Sequence, residues 1–449
     1  MLYSFNNGVE TIMQTRRQLL KNVTTLSLAG LSSSVFAGST QSERIKLADT
    51  LLTSESASEV ATNEAYWKKV ADYYDKGREI INLEQGYWGK MALPVEAEYI
   101  RLTKKVNKDM SWYARKDWYE DFKHVKLTLA SALGTQPSEV ALTRNATESF
   151  VNLITQYKGL QQQDAVLWAD VDYPSFQRMM KWLSQEHKVQ GVEIALPAAG
   201  KKQDFIDTYA QAFEQHPNLK LMLLTHTSNQ HGLTLPVKEI AALAKSKGID
   251  VICDCAQSWG LVNFQMDDLG VDWAVFNLHK WIGSPIGVGA LYMRTGTLDR
   301  VSPFPGEAMG NESVQNRVHI ATSDFASFLA VPDALAFHFT VGAENKAERL
   351  RYLRRRWVSV ADNLPNIEVL GAQDQDCASG MGGFRIKGQV TKEQVSALQQ
   401  RLENEFGVFT VVRKDLASGC NIRVTPQVFT TTDEIDTFAN ALIAVDKSL

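Results

Sequence analysis

The sequence predicts an α/β fold: a large, mostly parallel sheet of seven strands, followed by a smaller C-terminal α/β domain. Three observations carry this. From about Glu139, short apolar runs alternate with amphipathic segments of helical period. The loop joining the last two runs is too short for a helical crossover. A chain of 449 residues, 44% hydrophobic, is long enough for one large core and a second, smaller one.

In order, the runs are EVALT, AVLWA, GVEIAL, KLMLLTH, DVICD, WAVFN and GALYM. Between them lie ATESFVNLITQY, SFQRMMKWLSQEH, DFIDTYAQAFEQH and VKEIAALAKSKG. Strand and helix repeated in this way give parallel strands with helices on both faces. Only a loop carrying Gly283, Pro285 and Gly287 separates WAVFN from GALYM, which predicts one reversed strand. A helical stretch from Pro332 to Asn363 then leads into FRIKG, QVSALQQRLENEF, VFTVVR, NIRVTP and DEIDTFANALIAV. The expected domains are residues 114–335 (large) and 336–449 (small), with 65–113 packing on both.

The beginning of the chain reads differently. TRRQLLK is followed by the weakly apolar VTTLSLAGLSSSVFA and Gly38, the pattern of a twin-arginine export signal over residues 1–37. That segment is too short to remain as a membrane span, so no stable membrane insertion is expected. Residues 38–64, rich in Ser, Thr and Ala, are expected to form a flexible tether. The destination implied is the periplasm, reached through the twin-arginine export machinery. A net charge of -4 argues against a nucleic-acid partner. Cys253, Cys255, Cys377 and Cys420 are too few and scattered for a disulfide framework or a zinc site, and no metal is expected. Cys253 and Cys255 are expected on opposite faces of one strand, unable to bond.

Open α/β sheets place ligands at the carboxyl ends of their strands. Those ends collect Thr143 to Asn145, Asp170 to Tyr173, Thr225, His226, Asn229, Asp254, Asn277, His279 and Lys280. A lysine closing an apolar run is unusual, because burial disfavours the ammonium. A neutral amine forms a Schiff base with an aldehyde, and pyridoxal phosphate is the common protein-borne aldehyde. A carboxylate, here Asp254, would keep its pyridine nitrogen protonated. Its phosphate would suit the helix start at NATESF. Taken singly, these residues have plainer roles: a solvated lysine, a strand-end cap at Asp254, a turn residue at Asn229, a core histidine.

The pattern as a whole is specific. D-x-x-Q at Asp254–Gln257 and N-x-H-K at Asn277–Lys280, followed by Gly283, Pro285, Gly287 and Gly289, resemble the class V aminotransferase family of fold-type I pyridoxal-phosphate enzymes. The isopenicillin N epimerase-like branch is the most similar. RNATES (144–149), THTSNQHGLTLPV (225–237) and IRVTPQVFTTTDEID (422–436) match that branch in order and spacing. The resemblance implies that Lys280 holds the cofactor and shuttles protons, and that Asp254 pairs with the ring nitrogen. It implies that Gln257 and Asn229 hold the phenolic oxygen and that Tyr173 stacks on the ring. Ala146, Thr147, Asn277 and His279 would bind phosphate. Arg423 would clamp the substrate carboxylate, with Gly86 and Tyr87 approaching the substrate. A homodimer is also implied, with Thr322 reaching the neighbouring subunit's phosphate. Two segments depart from the family: Ala321–Thr322 stands where Gly-Thr is usual, and MSWYARKDW (110–118) is atypical.

The implied reaction is transamination or epimerisation of an amino-acid moiety. Because the branch includes periplasmic enzymes that tailor a pyoverdine siderophore precursor, a peptide or secondary metabolite is an expected substrate. Cysteine desulfurase or C–S lyase activity is the alternative. A desulfurase needs a loop thiolate where this chain has Ser418, and Cys420 lies too near NIRV. An exported binding protein with a vestigial cofactor site is the alternative of another class.

Overall fold

The seven apolar runs form a single sheet in the computed structural model, which describes residues 51, 53–75, 77–307 and 313–449. Its strands are β1 (Val140–Thr143), β2 (Ala165–Ala169), β3 (Gln190–Ile194), β4 (Leu219–Thr225), β5 (Asp250–Asp254), β6 (Trp273–Asn277) and β7 (Gly289–Met293). Their spatial order is β1-β7-β6-β5-β4-β2-β3. All neighbours run parallel except at β7, which is antiparallel to both β6 and β1. One reversed strand in seven is the predicted arrangement.

Period-2 alternation sends the strand residues into two cores. Trp273 and Val275 of β6 enter one hydrophobic cluster, and Ala274 and Phe276 the other. Both faces of the central strands are therefore buried, as a doubly covered sheet requires. Trp259, Trp273 and Trp281 all lie in the core. The same alternation corrects the cysteine expectation. Residues two apart share a face: Cys253 and Cys255 lie in one cluster with their sulfurs 3.6 Å apart, and both are free thiols.

The smaller sheet contains β8 (Ile367–Ala372), β9 (Gly382–Ile386), β10 (Val411–Arg413) and β11 (Asn421–Val424). Its order is β10-β11-β9-β8, antiparallel throughout, and the short strand Ala199–Gly200 adds in parallel to β8. Beneath it Trp357 packs edge-on against Phe384 of β9 and against Phe438. The helical stretch expected from Pro332 is two helices, Val331–Val341 and Ala343–Ala361, broken at Gly342, whose φ of 95° suits glycine.

The export signal and the first part of the tether lie outside the described residues. The rest of the tether is not free. Helices Ala57–Thr62 and Glu64–Ala71 pack on the body, the first opened by a Ser56–Glu59 capping box. The buried Arg349 ties them down, donating to Ala61 O (3.0 Å), to Glu64 Oε2 (3.0 Å) and to Thr430 O (3.3 Å). The low-complexity composition of 38–64 hid this, because the anchoring arginine lies some three hundred residues away. Among the described residues no single helix is long and apolar enough to cross a membrane. Glu64→Ala leaves the buried guanidinium without its carboxylate; urea denaturation is expected to show a loss of about 1–3 kcal/mol.

Candidate active site

Strand β6 ends at Asn277, and the chain turns at once so that Lys280 follows the buried Leu278. Four bonds fix that turn. The Gly89 amide donates to His279 O at 2.8 Å, and buried Lys346 Nζ donates to Trp281 O at 2.9 Å. Trp281 Nε1 donates to Gln257 Oε1, and Gln257 Nε2 to Gly86 O, both at 2.9 Å. Gly89 must be glycine, because a Cβ there would lie 1.7 Å from Lys280 O. Burial lowers the Lys280 amine to a pKa of about 8, with Asp254 opposing the shift and Arg423 and Arg413 adding to it.

Asp254 closes β5, the strand beside β6, in register with Val275. Its carboxyl is buried, accepts from the Ala256 amide at 2.9 Å, and is pushed up to about 6 by burial, with Lys280 pulling it back. His279 sets Nδ1 3.0 Å from Val288 O, and burial brings its pKa down to about 4, so the imidazole is neutral.

The helix Ala146–Gln156 starts directly after β1, capped by Asn145, whose side chain accepts from the Glu148 amide. Here the structure differs from expectation. The Ala146 amide is not open: it donates to Asn277 Oδ1 at 2.8 Å. The part of this helix start left open to an anion narrows to Thr147, whose amide and hydroxyl have no protein partner among the described residues.

Tyr173 caps the helix Pro174–Glu186, 38% exposed, its ring edge-on to Phe176. Asn229 Oδ1 is buried without a partner, while its carbonyl accepts from Arg423 Nη1 at 2.8 Å. Gln257 differs from expectation in being engaged with Gly86 and Trp281, which leaves one Nε2 hydrogen. Arg423, fully buried on β11, already meets a carboxylate: its Nη2 lies 2.5 Å from Glu84 Oε1. Gly86 packs so closely that a Cβ would lie 3.0 Å from Arg423 Nη2. Tyr87 is 69% exposed and stacks edge-on with Trp88. Thr322 is exposed and has no bond to this cluster within the chain; Ala321 before it holds φ 54°, the left-handed backbone that glycine favours.

Sequence reasoning missed Glu84 and Arg413. Glu84 sits two residues before the singled-out Gly86, and Arg413 lies on the strand paired with β11.

This donor set fits pyridoxal phosphate: a lysine with a lowered pKa, a carboxyl on the next strand, an unpartnered amide oxygen at Asn229, and an open helix start at Thr147. Its burial has a cost in the apoprotein. Because the folded pKa of Lys280 is depressed, the unfolded chain binds the extra proton between pH 8 and 10.5, and stability rises with pH across that window. Lys280→Met removes the penalty. Thermal unfolding of the apoprotein at pH 7 is expected to show a gain of up to about 3 kcal/mol, vanishing as pH rises through the window.

The model of the family described as "Aminotransferase class-V" matches residues 93–438. Isopenicillin N epimerase of Streptomyces clavuligerus is 25% identical over 71% of this chain and 83% of its own. Hercynylcysteine sulfoxide lyase of Schizosaccharomyces pombe is 20% identical over 65% of this chain and 76% of its own. A solved complex of a cystine C–S lyase with its product cysteine persulfide superposes with a TM-score of 0.70 at 20% identity, covering 81% of this chain and 97% of that one. The family match spans the sheet, the Lys280 turn and the Arg423 strand. The chain belongs to the class-V aminotransferase family and is a pyridoxal-phosphate-dependent enzyme.

Proposed function

We propose that the protein removes the α-proton of an amino-acid substrate with Lys280 and expels a sulfur group from Cβ, a C–S lyase reaction. The carrying observation is a depressed-pKa lysine beside Asp254 with no exposed thiol to receive sulfur: Cys253, Cys255, Cys377 and Cys420 are all buried. A desulfurase that stores sulfur on its own cysteine needs an accessible thiolate. A lyase needs none. The similarity to proteins named as sulfoxide lyase and cystine C–S lyase supports this class of outcome. Epimerisation is the second reading, favoured by the 83% coverage of the epimerase relative.

The bound cofactor supplies an electron sink for the α-carbon. Lys280 Nζ takes the α-proton, and the Cβ–S bond breaks with its electron pair leaving on sulfur. The products are a thiol or persulfide and an enamine, which water converts to a 2-oxo acid and ammonia. Asp254 holds a positive charge on the cofactor's ring nitrogen. Thr147 and His279 take the phosphate, with Asn277 fixing the helix start through the Ala146 amide. Tyr173 would cover a ring face, and the Asn229 side-chain N–H with the remaining Gln257 hydrogen would donate to the ring oxygen. Arg423 orients the substrate carboxylate, a role for which a guanidinium's planar edge is suited.

A homodimer completes this reading, with Thr322 serving the neighbouring subunit. The apolar side chains left outside the fold support it: Tyr87, Trp88, Trp112 and Tyr119 are each at least half exposed. Export through the twin-arginine pathway to the periplasm rests on TRRQLLK. It makes an amino-acid residue of an exported peptide or siderophore precursor a natural substrate.

The purified holoenzyme is expected to be yellow, and Lys280→Ala is expected to lose the visible band and to lower α-hydrogen exchange by about a thousandfold or more. Cys377→Ser and Cys420→Ser are expected to release 2-oxo acid from S-substituted cysteines at near wild-type rates. Loss of 2-oxo acid release in Cys420→Ser overturns the thiol-independent lyase. Inversion at Cα without release of 2-oxo acid selects epimerisation.

A further inference from the structure

Two guanidinium groups converge on the substrate side of the site and share one carboxylate. Arg423 on β11 is fully buried, and Arg413 on β10 is 22% exposed. Glu84 Oε1 lies 2.5 Å from Arg423 Nη2 and 3.7 Å from Arg413 Nη2. Among the described residues no other carboxylate comes within ion-pair distance of either arginine. Asp415 acts on Arg413 through space, and its own near neighbour is Gln230 Nε2 at 3.5 Å.

One negative charge between two cations leaves a net positive charge, and each guanidinium keeps a donor free for a further acceptor. The Nε of Arg413 and the Nε of Arg423 are both buried without an acceptor. Orphaned guanidinium donors are costly and seldom left without a purpose. Burial, with the Arg423 charge next, pulls Arg413 down to about 10. Gly86, where a Cβ would lie 3.0 Å from Arg423 Nη2, accepts from Gln257, which also takes the Trp281 indole next to Lys280, so the pair lies on the Lys280 side of the site.

We propose that Arg413 and Arg423 form a two-anion site, and that the preferred substrate is an amino acid whose side chain ends in a second anionic group. The inference rests on the reading that Lys280 takes the α-proton. Arg423 meets the α-carboxylate and Arg413 the distal anion. Glu84 holds the two cations together against their mutual repulsion and sets their spacing.

The test compares near-isosteric pairs on the holoenzyme: L-glutamate with L-glutamine, and S-carboxymethyl-L-cysteine with S-carbamoylmethyl-L-cysteine. Alpha-hydrogen exchange in heavy water, followed by proton NMR, reports the step shared by every candidate reaction. The anionic member of each pair is expected to exchange with kcat/KM about tenfold to a hundredfold higher. Arg413→Gln is expected to bring the members within about threefold of one another, and Arg413→Lys to retain most of the preference. Calorimetric titration with glutarate needs no turnover; its affinity is expected to fall about tenfold in Arg413→Gln. Equal exchange within both pairs overturns the two-anion site while leaving the Lys280 chemistry standing. If no probe loses its α-hydrogen but glutarate binding still depends on Arg413, the site stands and the catalytic reading falls.

Discussion

An amine confined beside a carboxyl at the rim of the sheet is the constraint on which the rest of the structure depends. Lys280 and Asp254 come from the ends of adjacent strands, β6 and β5, so their nearness is a product of strand order and not of a flexible loop. The reversal of β7 matters here. A helical crossover after β6 would carry the chain away from the rim. The short return places Val288 beside the turn instead, where its carbonyl accepts from the Leu278 amide and faces His279 Nδ1, each at 3.0 Å. The lysine therefore stands on a hairpin gripped from both sides, which limits its reach to one region of the rim.

That grip extends to the second sheet. The segment from Leu83 to Gly89 is bonded to Thr425 at one end and to His279 at the other. Glu84 reaches Arg423 from the same segment, and Gly86 O takes the Gln257 amide. One extended stretch thus sets the distance between the lysine and the arginine, the two groups proposed to meet the substrate. Burial of so many ionisable groups costs stability: Lys280, Asp254, Lys346 and Arg413 all have pKa values moved toward their neutral forms by desolvation. Two apolar cores on the faces of one sheet offset that cost, a common division between scaffold and site.

Much of this was legible in the sequence because periodicity and strand-end chemistry are local. The seven runs, the reversed strand and the strand-end positions of Lys280 and Asp254 each follow from patterns a few residues long, repeated between Val140 and Met293. What was not legible depends on partners far apart. The Ala146 amide is satisfied by Asn277, 131 residues away, and Arg423 by Glu84, 339 residues away; no local pattern encodes either bond. The docked helix Ala57–Thr62, within the stretch expected to be a tether, was not legible for the same reason. The cysteine faces were misjudged although period 2 determines them. Ala321 is instructive in the opposite direction: an alanine stands where the resemblance leads one to expect glycine, and its backbone holds φ at 54°. For alanine that conformation costs roughly 1–2 kcal/mol, so the surrounding contacts outweigh local preference at this position.

The fate of sulfur separates the reactions open to this site, and the cysteines bear on it directly. Cys377 is buried and its thiol pushed up to about 11, chiefly by desolvation. Cys253 and Cys255 sit in the core beneath the sheet's rim, and Cys420 is covered where its amide meets Val390 O. A thiol that attacks a substrate sulfur has to be both ionised and reachable. None of the four meets both conditions, so any sulfur released at Cβ must leave to solvent or to an acceptor supplied from outside. The arginine pair constrains the other end of the same molecule, since a second anion on the side chain would be held away from the amine while the bond between them is broken. Under the proposed reaction, these two features would make a site that grips an amino acid at both ends and keeps no product covalently on its own chain.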